Sequence, residues 1–139
     1  MFISKTSEYA LRILTYMAHN SETQFSAQKL FTELQIPKRY LMRLLTDLSK
    51  SGFIKSARGR RGGYEFAKPL DNIYFSEIID SVEGLLSFEA CVLGNAFCPV
   101  DKPCVMHKLW DKPKKAFLDT IRSTTLADLK REQNIPLQL

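Results

Sequence analysis

A mainly α-helical fold with one small β-hairpin is what this 139-residue sequence predicts. Three observations lead there. Apolar residues recur at three- and four-residue spacing along most of the chain, as they do in helices with one buried face. The rhythm changes at FIKSARGRRGGYEFA, where short strand-like runs flank an Arg/Gly-rich tip. Just before it, two short helical segments meet across a tight connection, the pattern of a helix-turn-helix. Taken together, these parts make a winged helix-turn-helix.

Each element has its own justification. Ser4 to Thr6 offer polar caps to a first helix whose buried face holds Tyr9, Ala10, Ile13, Leu14, Met17 and Ala18, and Asn20–Ser21 ends it. Ser26 caps a short second helix with Leu30, Phe31 and Leu34 inward. Ile36–Pro37 restarts the chain, because proline suits a first helical turn. The third helix buries Leu41, Leu44, Leu45 and Leu48 and stops near Ser51–Gly52. Phe53 and Ile54 open a strand, residues 58–63 form the tip, and Tyr64 and Phe66 alternate outward beyond it. Glycines at such a tip allow positive dihedrals and a close approach to a phosphate backbone.

After Pro69, NIYFSEIIDSVEG predicts an amphipathic helix with Ile78, Ile79 and Val82 inward and Gly84 as its stop. A loop-like stretch rich in Gly, Pro and Asn follows. HKLWDKPKKAFLDTIRS then places Leu109, Trp110, Phe117, Leu118 and Ile121 at helical spacing. A long apolar face on a helix remote from the core fits a partner helix, so a homodimer is expected, with Trp110 and Phe117 in its core. Interior proline costs about 3 kcal/mol, so Pro113 predicts a helix that begins near Asp111 or bends there. Thr125 to Asp128 reads as a capping box for a last short helix. Residues 1–84 thus form a winged-helix region, 85–107 a cysteine-rich loop, and 108–139 a dimerisation helix and C-terminal helix, in one compact domain overall.

Charge is unevenly spread. Residues 1–69 carry twelve Lys or Arg against five Asp or Glu, whereas residues 70–139 carry eight against ten. The cationic excess sits in the half that resembles a DNA reader, as an anionic duplex partner requires. No apolar run approaches the roughly 20 residues of a membrane span. The N-terminus is too mixed in polarity for a secretory signal, so a cytoplasmic protein is expected.

Two sets of residues carry candidate chemistry. Lys38, Arg39 and Arg43 share the solvent face of the third helix with Tyr40 beside them, where arginine can bond guanine bidentately. Ser26 and Gln28 open the preceding helix and can meet a phosphate, and Arg58, Arg60 and Arg61 crowd the wing tip. The plainer reading of each is a solvated charged face. The second set is Cys91, Cys98, Cys104 and His107, four soft or borderline donors able to hold a metal or a small iron–sulfur cluster. Three clustered cysteines make a poor disulfide framework. Gaps of six and five residues between them differ from the paired knuckles of structural zinc, which argues against zinc. His107 lies three residues beyond Cys104, one helical turn away, so both can face one object.

The order of these parts resembles the Rrf-two family of winged-helix transcription regulators. SEYALRIL, IPKRYLMRLLTDLSKSGFIKSARGRRGGYEFAKP, the SVEG stop and the C-x6-C-x5-C-x2-H pattern at residues 91–107 carry the resemblance over nearly the whole chain. It implies a homodimer built on a long helix, with each winged helix followed by a cluster-binding loop. In IscR-like members three cysteines and a histidine hold a [2Fe–2S] cluster, and Cys91, Cys98, Cys104 and His107 match those positions. In the nitric-oxide sensors a carboxylate from the other subunit completes a [4Fe–4S] site, and Glu8 stands in the matching place. The plainer role of Glu8 is a favourable charge in a first helical turn. Met42 and Arg43 replace a Glu-Gln pair of the IscR-like reading helix.

The expectation is therefore a cytoplasmic, homodimeric DNA-binding repressor gated by an iron–sulfur cluster, [2Fe–2S] in preference to [4Fe–4S], and not an enzyme. The alternatives are a family member without a cluster that senses thiols or a protein partner, a redox or metal-storage protein, and a cysteine enzyme with His107 as base. The last lacks both a Gly-rich nucleophile turn and a carboxylate orienter.

Overall fold

The computed structural model describes residues 3–20, 22–59, 62–93 and 103–132. Helix α1 spans Lys5–His19, with the Ser4 hydroxyl accepting from the Ser7 N–H at 3.2 Å. Ala10, Ile13, Leu14, Met17 and Ala18 are buried along one face. Helix α2 (Ala27–Leu34) is capped by Ser26, which accepts from the Lys29 N–H at 3.0 Å. Leu30 and Leu34, four residues apart, are buried, but Phe31 is 36% exposed. Eight residues present too narrow a stripe to bury all three, so the inward placement of Phe31 is corrected.

Helix α3 (Lys38–Lys50) starts directly after Pro37 and buries Leu41, Leu44, Leu45 and Leu48. Gln35, with φ 52°, makes the left-handed turn between α2 and α3. A non-glycine residue there is strained, and the Arg12 guanidinium braces the turn by donating to the Leu34 carbonyl at 2.8 Å. Gly52, at φ 82°, ends α3.

Strands β1 (Ile54–Ala57) and β2 (Gly63–Phe66) pair antiparallel, Ile54 opposite Phe66 and Ala57 opposite Gly63. Tyr64 also exchanges backbone hydrogen bonds with Phe25, at 2.9 and 2.7 Å, so the wing is stitched to the residue before the α2 cap. That stitch explains Gly63. A Cβ there would fall 2.6 Å from the Phe25 carbonyl carbon and 2.9 Å from the Ser26 nitrogen. The close approach this glycine permits is to the protein's own backbone. Tyr64 and Phe66 are half-buried against the core rather than turned outward, because the same stitch draws β2 onto it.

A 3₁₀ turn (Leu70–Asn72) leads to helix α4 (Phe75–Glu83), which ends at Gly84, φ 79°. Ile78 joins the main core; Ile79, one position on, faces a second cluster with Leu118 and Ile121. A helical turn, α5 (Leu86–Glu89), sits within the stretch expected to be loop. Helix α6 runs from Val105 to Ser123 without stopping at Pro113, so it begins six residues before Asp111. Proline lacks the N–H that would bond the Leu109 carbonyl, and that carbonyl belongs to a residue facing solvent.

Helix α7 (Leu126–Arg131) opens on the expected box, with Thr125 N–H donating to Asp128 at 2.8 Å and the Thr125 hydroxyl accepting from the Asp128 N–H at 3.3 Å. Backbone bonds from Phe75 N–H to Thr124 O and from Leu126 N–H to Ile73 O, both 3.0 Å, return the chain to the first half, where Leu126 is fully buried. The apolar face of α6 is accordingly divided. Leu118 and Ile121 are buried within their own chain, whereas Val105 and Leu109 are 73% and 66% exposed. The expectation that all five apolar residues of this helix face a partner is corrected for Leu118 and Ile121, which pack on Ile79, and for Phe117, whose ring lies against Phe88 in its own chain.

Candidate nucleic-acid interface and cysteine site

Burial of the four leucines of α3 fixes what its other face shows. Lys38, Arg39, Tyr40, Met42, Arg43 and Thr46 are all exposed. Arg43 has Asp47 at 3.8 Å, a solvent-facing i,i+4 pair that holds the guanidinium loosely. Tyr40 is anchored edge-on against Tyr9 of α1, with ring centroids 5.9 Å apart. Lys5 and Arg12 lie 5.6 and 5.9 Å from the same Tyr9 ring, so α1 supports the reading helix from behind. The Thr46 hydroxyl bonds back to the Met42 carbonyl at 3.0 Å. Met42, 41% exposed amid cations, is an apolar feature of this face that charge-based reading passes over.

Ser26 and Gln28 are exposed at the start of α2. The hydroxyl of Ser26 already accepts the Lys29 N–H, and the Gln28 amide reaches Thr32 at 3.4 Å. Arg58 is exposed at the end of β1. Arg60 and Arg61 lie outside the described residues.

In the second half, Cys91 is half-buried and its sulfur accepts the Leu93 N–H at 3.4 Å. Cys104 is exposed and stands at the N-cap of α6. One turn later the His107 N–H donates to the Cys104 carbonyl at 3.1 Å. Cys91 and His107 line one small hollow of about 30 Å³, together with Glu89, Met106, Trp110 and Asp111. Cys98 lies outside the described residues, and among those described no three metal-binding side chains converge.

Around the hollow the electrostatics are settled by α6. The Lys115 ammonium, bonded to Asp111 at 2.7 Å, holds that carboxyl below its ordinary range. Lys114 donates to the Glu89 carbonyl at 3.2 Å and Arg122 pairs with the Glu89 carboxylate at 2.5 Å, which ties α5 to α6. Glu8 is far from idle in its own subunit, with Lys5 at 2.9 Å and Arg12 at 4.0 Å. To serve as a ligand for another subunit it would have to exchange those pairs. Among the described residues no helix is long and apolar enough to cross a membrane.

Comparison with known proteins agrees with this geometry. The family profile described as "Rrf2: Iron-dependent Transcriptional regulator" matches residues 3–132. A protein of Aquifex aeolicus (strain VF5), named "Putative HTH-type transcriptional regulator", is 33% identical over 131 residues, 93% of this chain and 91% of that one. CymR (YrzC), the global cysteine regulator of B. subtilis, shares the fold with a TM-score of 0.76 at 28% identity, covering 94% of this chain and 96% of its own. IscR of T. potens does so with a TM-score of 0.74 at 26% identity, covering 98% and 92%. These proteins are regulators, and the cysteine-enzyme alternative falls away. A winged reading helix backed by α1, in a chain matched almost end to end by one profile, places this protein in the Rrf2 family of DNA-binding transcriptional regulators.

Proposed function

We propose that this chain is a cytoplasmic, homodimeric repressor whose grip on a double-stranded DNA operator is set by an iron–sulfur group held by Cys91, Cys98, Cys104 and His107, [2Fe–2S] in preference to [4Fe–4S]. One observation carries the reading: Cys91 and His107 line the same hollow, beside the N-terminus of the helix whose other end packs on α4. The donors fit such a group. Thiolate sulfur matches iron and offsets its charge, and an imidazole adds a neutral ligand. The positive end of the α6 dipole favours negative charge at Cys104, its N-cap residue. Zinc fits less well, since the cysteines are not paired as knuckles. When bound, the group supplies a centre whose state follows iron supply, redox conditions or nitric oxide.

The rest is done by the chain. Lys38, Arg39, Tyr40 and Arg43 meet base edges and phosphates in the major groove. Arg58, Arg60 and Arg61 meet phosphates or the minor groove, and Ser26 and Gln28 approach the backbone from the start of α2. Residues 1–84 read DNA, 85–107 hold the cofactor, and 108–139 supply the dimer contact through the exposed side of α6. A change in how Cys91 and Cys104 are held moves the start of α6. Leu118 and Ile121 pass this to Ile79 of α4, and α7 passes it to the core beneath α1. Regulation requires only that the two arrangements of these helices differ in operator affinity.

A second reading is thiol or partner sensing with no cluster, favoured by the likeness to CymR, whose name is that of a cysteine regulator. Anaerobic purification with iron and sulfide analysis and a visible spectrum separates the two. The cluster reading predicts a coloured protein whose spectrum changes in His107→Ala. A colourless, iron-free protein would transfer the account to the thiol reading, and an unchanged spectrum in the variant would remove His107 from the ligands.

A further inference from the structure

A cavity of about 530 Å³ opens between the end of α4, α5 and α6. Its walls are mostly apolar, with the rings of Phe88, Trp110 and Phe117 among them, and Glu83 and Lys114 at its polar points. Phe88 and Phe117 are tilted against one another with centroids 5.8 Å apart, so part of the wall is a fixed aromatic surface. Small-molecule sites commonly measure about 300–1,000 Å³ and combine such walls with a few polar groups.

Glu83 is the group that points to a ligand. Its Oε1 is buried and has no hydrogen-bond partner. It is also the last residue of α4, where the helix dipole disfavours an anion. Lys114, the cation on the same wall, donates to the Glu89 carbonyl instead. A desolvated carboxylate oxygen without a donor costs free energy that an incoming N–H recovers.

We propose that this cavity binds a small primary amine with a flat apolar body, its ammonium donating to Glu83 and its body lying against Phe88, Trp110 and Phe117. Charge and shape both select this class: an anion would face Glu83, and a fully apolar molecule would leave Oε1 unpaired. The cavity adjoins the hollow shared by Cys91 and His107, and Cys91, Val92, Trp110 and Lys114 line both. Ser4, the N-cap of α1, reaches the cavity as well, so occupancy touches the helix that backs the reading face.

The test titrates phenethylamine into the full-length protein, followed by calorimetry and by the fluorescence of Trp110, the one tryptophan of the chain. Saturable binding with a Trp110 signal is expected, together with none for phenylacetate, which keeps the ring and reverses the charge. Glu83→Gln, with an unchanged unfolding temperature, is expected to weaken phenethylamine by about tenfold or more, the scale of a charge-assisted hydrogen bond. No saturable binding, equal binding of phenylacetate, or undiminished binding by a folded Glu83→Gln would overturn the proposal. The phenylacetate contrast uses the unaltered protein and decides even if the variant misfolds. Iron and sulfide measured on the same preparation keep this outcome separate from the fate of the cluster reading.

Discussion

The DNA-reading half and the start of α6 treat their apolar side chains in opposite ways. Leu14 and Leu45, in the first, are fully buried, whereas Val105 and Leu109, in the second, are 73% and 66% exposed. Helix starts differ within the reading half itself, since α3 begins at Pro37 with no side-chain cap. The helix starts of α1 and α2 are closed by Ser4 and Ser26, while α6 begins at Cys104 with no side-chain hydrogen bond to its first turn. A region whose apolar side chains are buried in its own core is a rigid platform. One that leaves sulfur and apolar surface outward gains its order from whatever meets them.

The largest expected difference is in stability. Leu45→Ala should cost about 2–5 kcal/mol in denaturant unfolding. Leu109→Ala should change the folding of the subunit by less than about 0.5 kcal/mol, as surface changes do, while weakening self-association in sedimentation. Equal destabilisation by the two would end the comparison. Next comes Gly63→Ala, where the collision with Phe25 should cost about 1–3 kcal/mol, as overpacking does. Operator affinity should fall with it, since the wing is stitched to the main body at that point; unaltered affinity and stability would show that the stitch is dispensable.

A finer effect concerns Met42. An exposed thioether among arginines suits the methyl group of a thymine in the major groove. Replacing operator thymines by uracil should weaken binding by about 0.8 kcal/mol at the contacted position, the worth of one buried methyl or methylene. Met42→Ala should abolish that difference, and a penalty that survives in the variant would assign the contact to another residue. The smallest effect is on pH dependence. Hydrogen bonds from the Thr125 N–H and hydroxyl hold the Asp128 carboxyl below its usual value of 3.8. Its contribution is present above that value and is lost as pH falls through the lower folded value. Asp128→Asn should therefore flatten acid unfolding in that window, and an identical acid profile would show the box to be energetically silent.

Much of the first half was legible because its signals are local. Ser4 and Ser26 cap because their hydroxyls sit next to helix-start N–H groups, and the α3 leucines repeat with the helix period. What was not legible depends on contacts between distant segments. Nothing near Phe31 tells that α2 has room for only two buried residues, and nothing near Gly63 names Phe25 as the reason for glycine. The division of the α6 face was hidden for the same cause, since Leu118 and Ile121 pack on Ile79 of another helix. Pro113 was legible in part: the helix begins at Val105 rather than near Asp111, because a carbonyl on a solvent-facing residue gives it room to pass through the proline. At the cysteine site, that Cys91 and His107 line one hollow needed the fold, and Cys104 is not among the residues lining it.

The central claim is that the state of the cysteine site alters how the arginine-rich reading face holds duplex. The direct measurement is operator affinity of iron–sulfur-loaded against cofactor-free protein, prepared anaerobically and compared at one salt concentration, on a duplex selected by the protein itself. The account predicts affinities that differ by about tenfold or more, the scale of a typical coupling free energy. Identical affinities in protein shown to carry iron and sulfide would contradict it.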